Sequence, residues 1–217
     1  MTEVTERNRD RIARRQVDKF AERRAQLAAA ALQTLAEQGY ARTSLRDIAQ
    51  NSDFSHGVLH YYFTDKFDLI TYCVRQYKAE CVTRYDTIVA TAATAAELRS
   101  GFGAAMAATL REDARMHRLW YDLRNQSLFD EAFRADVLDI DQSLERMIWR
   151  IVSRYAELSE APPTVTPSLA YAVMDGLFQH ALLRHLGGDA SAAADLDSNV
   201  LHVLPSLFAA PDPMPGT

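Results

Sequence analysis

The sequence predicts an all-α protein, and three observations carry that prediction. Only 8 glycines and 7 prolines punctuate 217 residues, and four of the prolines fall after residue 200. Apolar residues recur three and four positions apart over long windows, which is the helical period. Runs that alternate apolar and polar residues, the mark of a half-buried strand, are missing from the sequence.

Taken in chain order, Phe20, Leu27, Ala28, Ala31, Leu32 and Leu35 lie on adjoining faces of one helix from about residue 16 to Gln38, which Gly39 ends. Ser44 followed by Asp47 has the spacing of a capping box and predicts a short helix over 44–52, with Leu45, Ile48 and Ala49 apolar. Asp53-Phe54-Ser55 breaks it. A second short helix then takes Ser55 or His56 to Phe63. Thr64-Asp65 caps a long helix from Lys66 towards residue 90, with Phe67, Ile70, Val74, Tyr77 and Cys81 inward. Further helices are predicted over about 95–111, 113–128, 130–159, 167–186 and 191–208. The stretch APPTVTP (161–167) reads as a loop, GGD (187–189) as a tight turn, and the tail AAPDPMPGT as too rich in proline to fold.

Composition bounds the function. Hydrophobic residues make up 48% and charged residues 24% of the chain, the balance of an ordinary soluble domain. No apolar run is long enough for a membrane-spanning helix, and the polar N-terminus lacks the apolar region of a secretory signal. Cys73 and Cys81 lie eight apart on one expected helix, too far to pair, which fits a reducing cytoplasm. The formal net charge of −5 divides unevenly. Residues 1–66 hold 11 basic and 9 acidic side chains, whereas residues 67–217 hold 13 and 20. The N-terminal part therefore tolerates a polyanion better than the rest.

The two short helices over 44–63, behind a supporting first helix, form a helix-turn-helix layout. Ala49 supplies the small residue at the helix crossing. Asp53 stands at the turn, where a left-handed backbone is expected. Ile48, Phe54 and Leu59 plug the angle between the helices. In such a layout the second helix enters the major groove of DNA with its first turn at the base edges. Here that turn is Ser55, His56, Gly57 and Val58. Gly57 leaves room for close approach, Ser55 suits a phosphate, and His56 and Tyr61 point outward to bases.

The segments TSLRDIA (43–49), DFSHGVLHYYF (53–63) and KFDLI (66–70) resemble the DNA-binding domain of TetR-family transcriptional regulators, with the similarity covering residues 24–72. The resemblance implies that Tyr62 and Lys66 grip phosphates, together with Thr43, Ser44 and Arg46. Two positions depart from the family pattern. Asp53 stands where Gly is usual, which predicts slight strain in the turn. His60 stands where the first Tyr is usual, and it either caps a local backbone group or touches phosphate. The basic stretch RNRDRIARR, with Lys19, Arg23 and Arg24, reads either as an arm reaching DNA or as a solvated helical extension.

Residues 67–217 contain no catalytic or metal-binding motif, so no cofactor and no metal are expected. They mix aromatic and polar residues on inward faces. The resemblance implies a small-molecule effector pocket in this body. Phe102, Met106, Trp120, Tyr121, Arg124, Met147 and Asp175 are its candidate wall. The last two helices show more apolar width than one core-facing stripe needs, which predicts a homodimer formed through them. A dimer would set two recognition helices about one DNA turn apart on a palindromic double-stranded operator.

The sequence thus predicts an N-terminal helix-turn-helix domain over 1–66 with a basic extension and a helical ligand-binding and dimerisation domain over 67–217. The expected function is a cytoplasmic, ligand-responsive repressor. Its alternatives are a regulator of the same fold without a small-molecule effector, and a helical interaction protein.

Overall fold

The structure, a computed structural model, describes residues 2–39 and 42–209, with side-chain surroundings from residue 15 onward except for Phe133. The chain divides into two compact units, Met1–Tyr77 and Lys78–Thr217.

The first unit is built from α1 (Thr2–Gln38), α2 (Leu45–Gln50), α3 (His56–Tyr62) and the part of α4 (Lys66–Cys81) that reaches Tyr77. Its core is the apolar set expected from the period: Leu27, Ala31 and Leu35 from α1, Ile48 from α2, Leu59 and Phe63 from α3 and its cap, and Leu69 and Ile70 from α4 are all buried. Gly39 ends α1 with φ +80°, the left-handed backbone that favours glycine, and its N–H donates to the Leu35 carbonyl at 2.8 Å. α1 starts at Thr2, well before the expected residue 16. The basic stretch thus has a helical backbone, while its side chains before Arg15 lie outside the described residues.

α4 is joined to α1 by a charged side chain that also packs. Arg24 pairs with Asp68, and its guanidinium lies 4.8 Å from the centre of the Phe63 ring and 4.6 Å from that of Tyr72. Such stacking uses the flat, weakly hydrated face of arginine. The buried Cys73 thiol donates to the Ala28 carbonyl at 3.2 Å, and burial pushes its pKa up.

The second unit holds α5 (Asp86–Thr91), α6 (Ala95–Gln126), α7 (Glu131–Ser159), α8 (Pro167–Leu186) and α9 (Ala192–Ser206). α6 is the hub and packs on α7, α8 and α9. Gly103 of α6 makes the α9 approach possible, because a Cβ there would run into the carboxylate of Asp197.

Three expectations change here. The helix from Lys66 stops at Cys81 instead of running towards residue 90. Side chains take over its last carbonyls: Arg150 donates to the Val82 carbonyl, and the Thr83 hydroxyl donates to that of Glu80 at 3.0 Å. The predicted helices 95–111 and 113–128 are one helix with a kink at Asp113, whose φ of −117° and ψ of 18° leave the helical region. Arg84 holds that kink, its Nη2 standing 2.6 Å from the Asp113 carboxylate. Finally, loop 161–166 is pinned rather than slack: Pro163 pairs with Phe208, and the Thr164 N–H donates to the Leu207 carbonyl at 2.8 Å. Gly188 of the GGD turn has φ +88°. The expected frayed end falls on residues 210–217, outside the described residues.

Candidate nucleic-acid interface and internal cavity

The local chemistry of residues 43–66 fixes two short helices. Ser44 is the N-cap of α2, its Oγ accepting from the Asp47 N–H at 3.2 Å while the Ser44 N–H donates to the Asp47 carboxylate at 2.8 Å. These bonds, the Ser44 hydroxyl first, hold the Asp47 carboxyl below its ordinary pKa. Ser55 caps α3 in the same way, accepting from the Val58 N–H at 3.3 Å. The turn between the helices contains no positive φ, since Glu160 is the one described non-glycine residue in that region. Asp53 therefore sits without left-handed strain, contrary to the expectation from its neighbours in sequence.

α3 has two faces. Leu59, and Phe63 just beyond it, are buried, while Ser55, His56, Gly57, His60 and Tyr61 are exposed. Tyr61 is 73% exposed. A Cβ on Gly57 would meet no atom within 4 Å, so the backbone there is open to close approach. The His56 and His60 rings stand 4.4 Å apart, one helical turn from each other. Ser44 and Arg46 are exposed, and Tyr62 and Lys66 are half-buried. Thr43 differs from the rest: it is buried, and its hydroxyl donates to the Gly39 carbonyl at 2.7 Å.

Sequence reasoning missed the aromatic support behind this face. Phe20 of α1 lies 4.7 Å from Tyr62 and 6.1 Å from Tyr61, ring centre to ring centre, and Tyr61 and Tyr62 are themselves 5.0 Å apart. Arg23 covers the Phe54 ring at 4.6 Å. Helical period places Phe20 and Arg23 on α1 but does not say which loop or helix they meet.

The second unit encloses a cavity of about 440 Å³, its mouth included, lined by Lys78, Tyr85, Met106, His117, Trp120, Tyr121, Leu144, Met147, Ile148, Tyr171, Met174, Asp175 and Phe178. Met106, Trp120, Tyr121, Met147 and Asp175 are on this wall. Phe102 stands behind it, fully buried, with its ring 5.0 Å from that of Tyr85. Arg124 stands behind Asp175, its Nη1 at 2.5 Å from Oδ2, and also reaches Asp141 at 3.2 Å. Tyr121 donates to Asp175 at 2.8 Å and Tyr171 to Asp141 at 2.6 Å. Burial opposes the charge on Arg124, but Asp175 outweighs it and the guanidinium pKa lies above its usual range. Burial and the neighbouring carboxylates push both tyrosines up.

Lys78 and His117 are the wall residues of most chemical interest. Both sit at core positions of their helices: Ile70, Val74, Lys78 and Cys81 form one buried stripe of α4, and Leu110, Ala114, His117 and Tyr121 one of α6. A charge on such a stripe is the signal in the sequence that could have found them. Lys78 Nζ lies 5.0 Å from the centre of the Trp120 ring. Burial lowers its pKa to about 8, and burial also holds the His117 imidazole well below its usual range. At neutral pH the lysine is thus largely charged and the histidine neutral.

Among the described residues no group of three or more His, Cys, Asp or Glu side chains could hold a metal ion, and no helix is long and apolar enough to cross a membrane.

Residues 27–73 match the family profile described as bacterial regulatory proteins, tetR family. Among curated protein sequences none matches the chain. Solved structures do match its fold. A transcriptional regulator, FadR from Bacillus subtilis in complex with stearoyl-CoA, aligns with a TM-score of 0.70 at 19% identity, over 85% of this chain and 99% of that one. A putative transcriptional regulator from Saccharomonospora viridis in complex with choline gives 0.72 at 16%, over 88% and 100%. A putative TetR-family regulator from Rhodococcus gives 0.68 at 19%, over 87% and 100%. By its matched N-terminal segment and by the fold of its helices, the chain is a DNA-binding transcriptional regulator of the tetR family.

Proposed function

We propose that this regulator is a ligand-responsive repressor that binds a palindromic operator as a homodimer. The observation that carries the DNA side is the division of α3. Leu59 and Phe63 anchor it, and Ser55, His56, Gly57, His60 and Tyr61 are left on one open face. The outward residues read base edges, while Ser44, Arg46, Tyr62 and Lys66 hold phosphates and set the register. Thr43 acts one step back, fixing the chain before α2 through its bond to Gly39. Neutral donors suffice on this face because affinity for the backbone and reading of bases are separate tasks.

The second unit supplies the ligand and dimer functions. Its cavity accounts for the first, and two structural neighbours hold small molecules, stearoyl-CoA in one and choline in the other. α8 supports the second. Ala170, Met174, Phe178 and Ala181 are buried within the unit, yet Leu169, Leu183 and Leu186 of the same helix are exposed. A second copy packed on α8 and α9 would cover that face. The protein would act in the cytoplasm, by binding and not by catalysis. A ligand shifts operator affinity only through unequal affinity for the DNA-bound and free forms.

Salt-titrated binding to the DNA upstream of the protein's own gene tests the docking. Tyr62→Ala and Lys66→Ala should each weaken binding about equally across sequences, and Lys66→Ala should flatten the salt slope by about one. Unchanged affinity in both variants would remove the proposed docking.

A further inference from the structure

The cavity wall permits a sharper statement about ligand class, resting on the ligand-responsive reading above. Its acceptors are already engaged. The Asp175 oxygens take the Tyr121 hydroxyl at 2.8 Å and Arg124 at 2.5 Å. Asp141, behind them, takes the Tyr171 hydroxyl and the other arm of Arg124. Its donors are less committed. An ammonium carries three N–H groups, so Lys78 keeps capacity beyond any single protein partner. Trp120 is 1% exposed, and its Nε1–H has no hydrogen-bond partner among the described residues. The two groups adjoin, Nζ lying 5.0 Å from the ring centre. A buried N–H left unpaired is costly, and a ligand oxygen would relieve it.

Charge narrows the class further. Arg124 stands against two carboxylates, Asp141 and Asp175, which leaves one negative charge in excess. The Lys78 ammonium balances it. Arg84 is matched by Asp113 at 2.6 Å, and His117 is neutral. The cluster around the cavity is therefore neutral as it stands. A cationic ligand would meet Lys78 and find the Trp120 face already occupied by it. An anionic ligand would leave a buried net charge, which a low-dielectric site disfavours. The rest of the wall, with Met106, Met147, Met174 and Phe178, is apolar and adaptable in shape.

We propose that the cavity takes a small, neutral, apolar carbonyl compound, a ketone or ester, whose oxygen accepts from Lys78 Nζ and Trp120 Nε1 while its hydrocarbon lies among Met106, Met147, Met174 and Phe178. Heads that are amines or carboxylates are rejected by charge, and plain hydrocarbons lack the acceptor.

Calorimetric titration of the full-length protein at neutral pH with 2-decanone, methyl nonanoate, decanoate, decylamine and decane tests this. The ketone and ester should bind at least about tenfold tighter than the other three, a difference of about 1.4 kcal/mol. Lys78→Met and Trp120→Phe should each lower ketone affinity by about tenfold and leave decane binding unchanged. Equal or tighter binding of decanoate or decylamine overturns the neutral-carbonyl class while keeping the cavity a ligand site. Equal binding of decane overturns the role of the two donors. Absence of binding by every compound overturns the ligand-responsive reading as well. The series on the unmodified protein decides the matter even where a variant fails to fold.

Discussion

Arg124 of α6 and Asp175 of α8 face each other at 2.5 Å behind the cavity wall, and the same guanidinium reaches Asp141 of α7. One side chain thus ties three helices at the place where a ligand would press on them. Removing one partner of a half-buried pair leaves the others uncompensated, which is worse than losing the attraction alone. Arg124→Ala should lower the unfolding free energy by about 2 kcal/mol, less than a fully buried pair because the side chain is 31% exposed. Arg124→Lys should recover little of it, since a point charge cannot serve two carboxylates in fixed directions. Denaturant unfolding of the three proteins measures both.

Lys78 gives a pH dependence with a definite sign. Burial lowers its pKa to about 8 from the ordinary 10.5, with Asp175, Asp141 and Cys81 favouring the ammonium and Arg84 opposing it. His117, Tyr85 and Tyr121 face the same cavity. Between pH 8 and 10.5 the unfolded chain holds a proton that the folded chain has released, so this lysine makes stability rise with pH across that window. Its cost is fully present below pH 8 and is on the order of 3 kcal/mol. Lys78→Met removes the term. The stability difference between wild type and variant should shift in the wild type's favour from pH 7.5 to 10 in paired thermal unfolding curves.

Phe20 supports the DNA-facing tyrosines without itself being on the recognition helix. Its ring lies 4.7 Å from that of Tyr62. Phe20→Ala should reduce operator affinity by about tenfold, through loosened Tyr61 and Tyr62, while circular dichroism stays unchanged. Phe20→Leu, which keeps bulk but loses the ring contact, should fall between. Ser44→Ala should cost about 1 kcal/mol of stability as a lost N-cap, together with DNA affinity, because α2 sets the angle of α3.

The sequence made the DNA-binding half legible because each local rule agreed there. The Ser44–Asp47 capping box, the Gly39 cap and the buried positions of Ile48, Leu59 and Phe63 all follow from neighbours a few residues away. What it hid depends on residues far apart in the chain. The early stop of α4 needs Arg150, and the α6 kink at Asp113 needs Arg84. Lys78 and His117 lie on apolar stripes, so period alone reads past them. Trp120 and Met147 were readable as inward aromatics, whereas Arg124 and Phe102 belong to the second layer because their partners lie away from the cavity. Asp53 looked strained only because a glycine is usual at that place, and the backbone there needs no left-handed residue.

The exposed leucines of α8 predict the assembly. Leu183 is 72% exposed and lies on the face left over after the unit's own core is filled. Leu183→Glu should convert a dimer to a 24.4 kDa monomer in light scattering and leave the helical content intact. Operator affinity should fall with it, since a single recognition helix loses its second half-site.

Selection of bound sequences from random duplex DNA by the purified full-length protein tests the central claim most directly. The account predicts enrichment of a two-fold symmetric site whose half-sites lie about one helical turn apart, with His56→Ala altering the preferred bases and Lys66→Ala weakening all sequences alike. No enrichment of any sequence over the starting pool, or an enriched site indifferent to both substitutions, would contradict it.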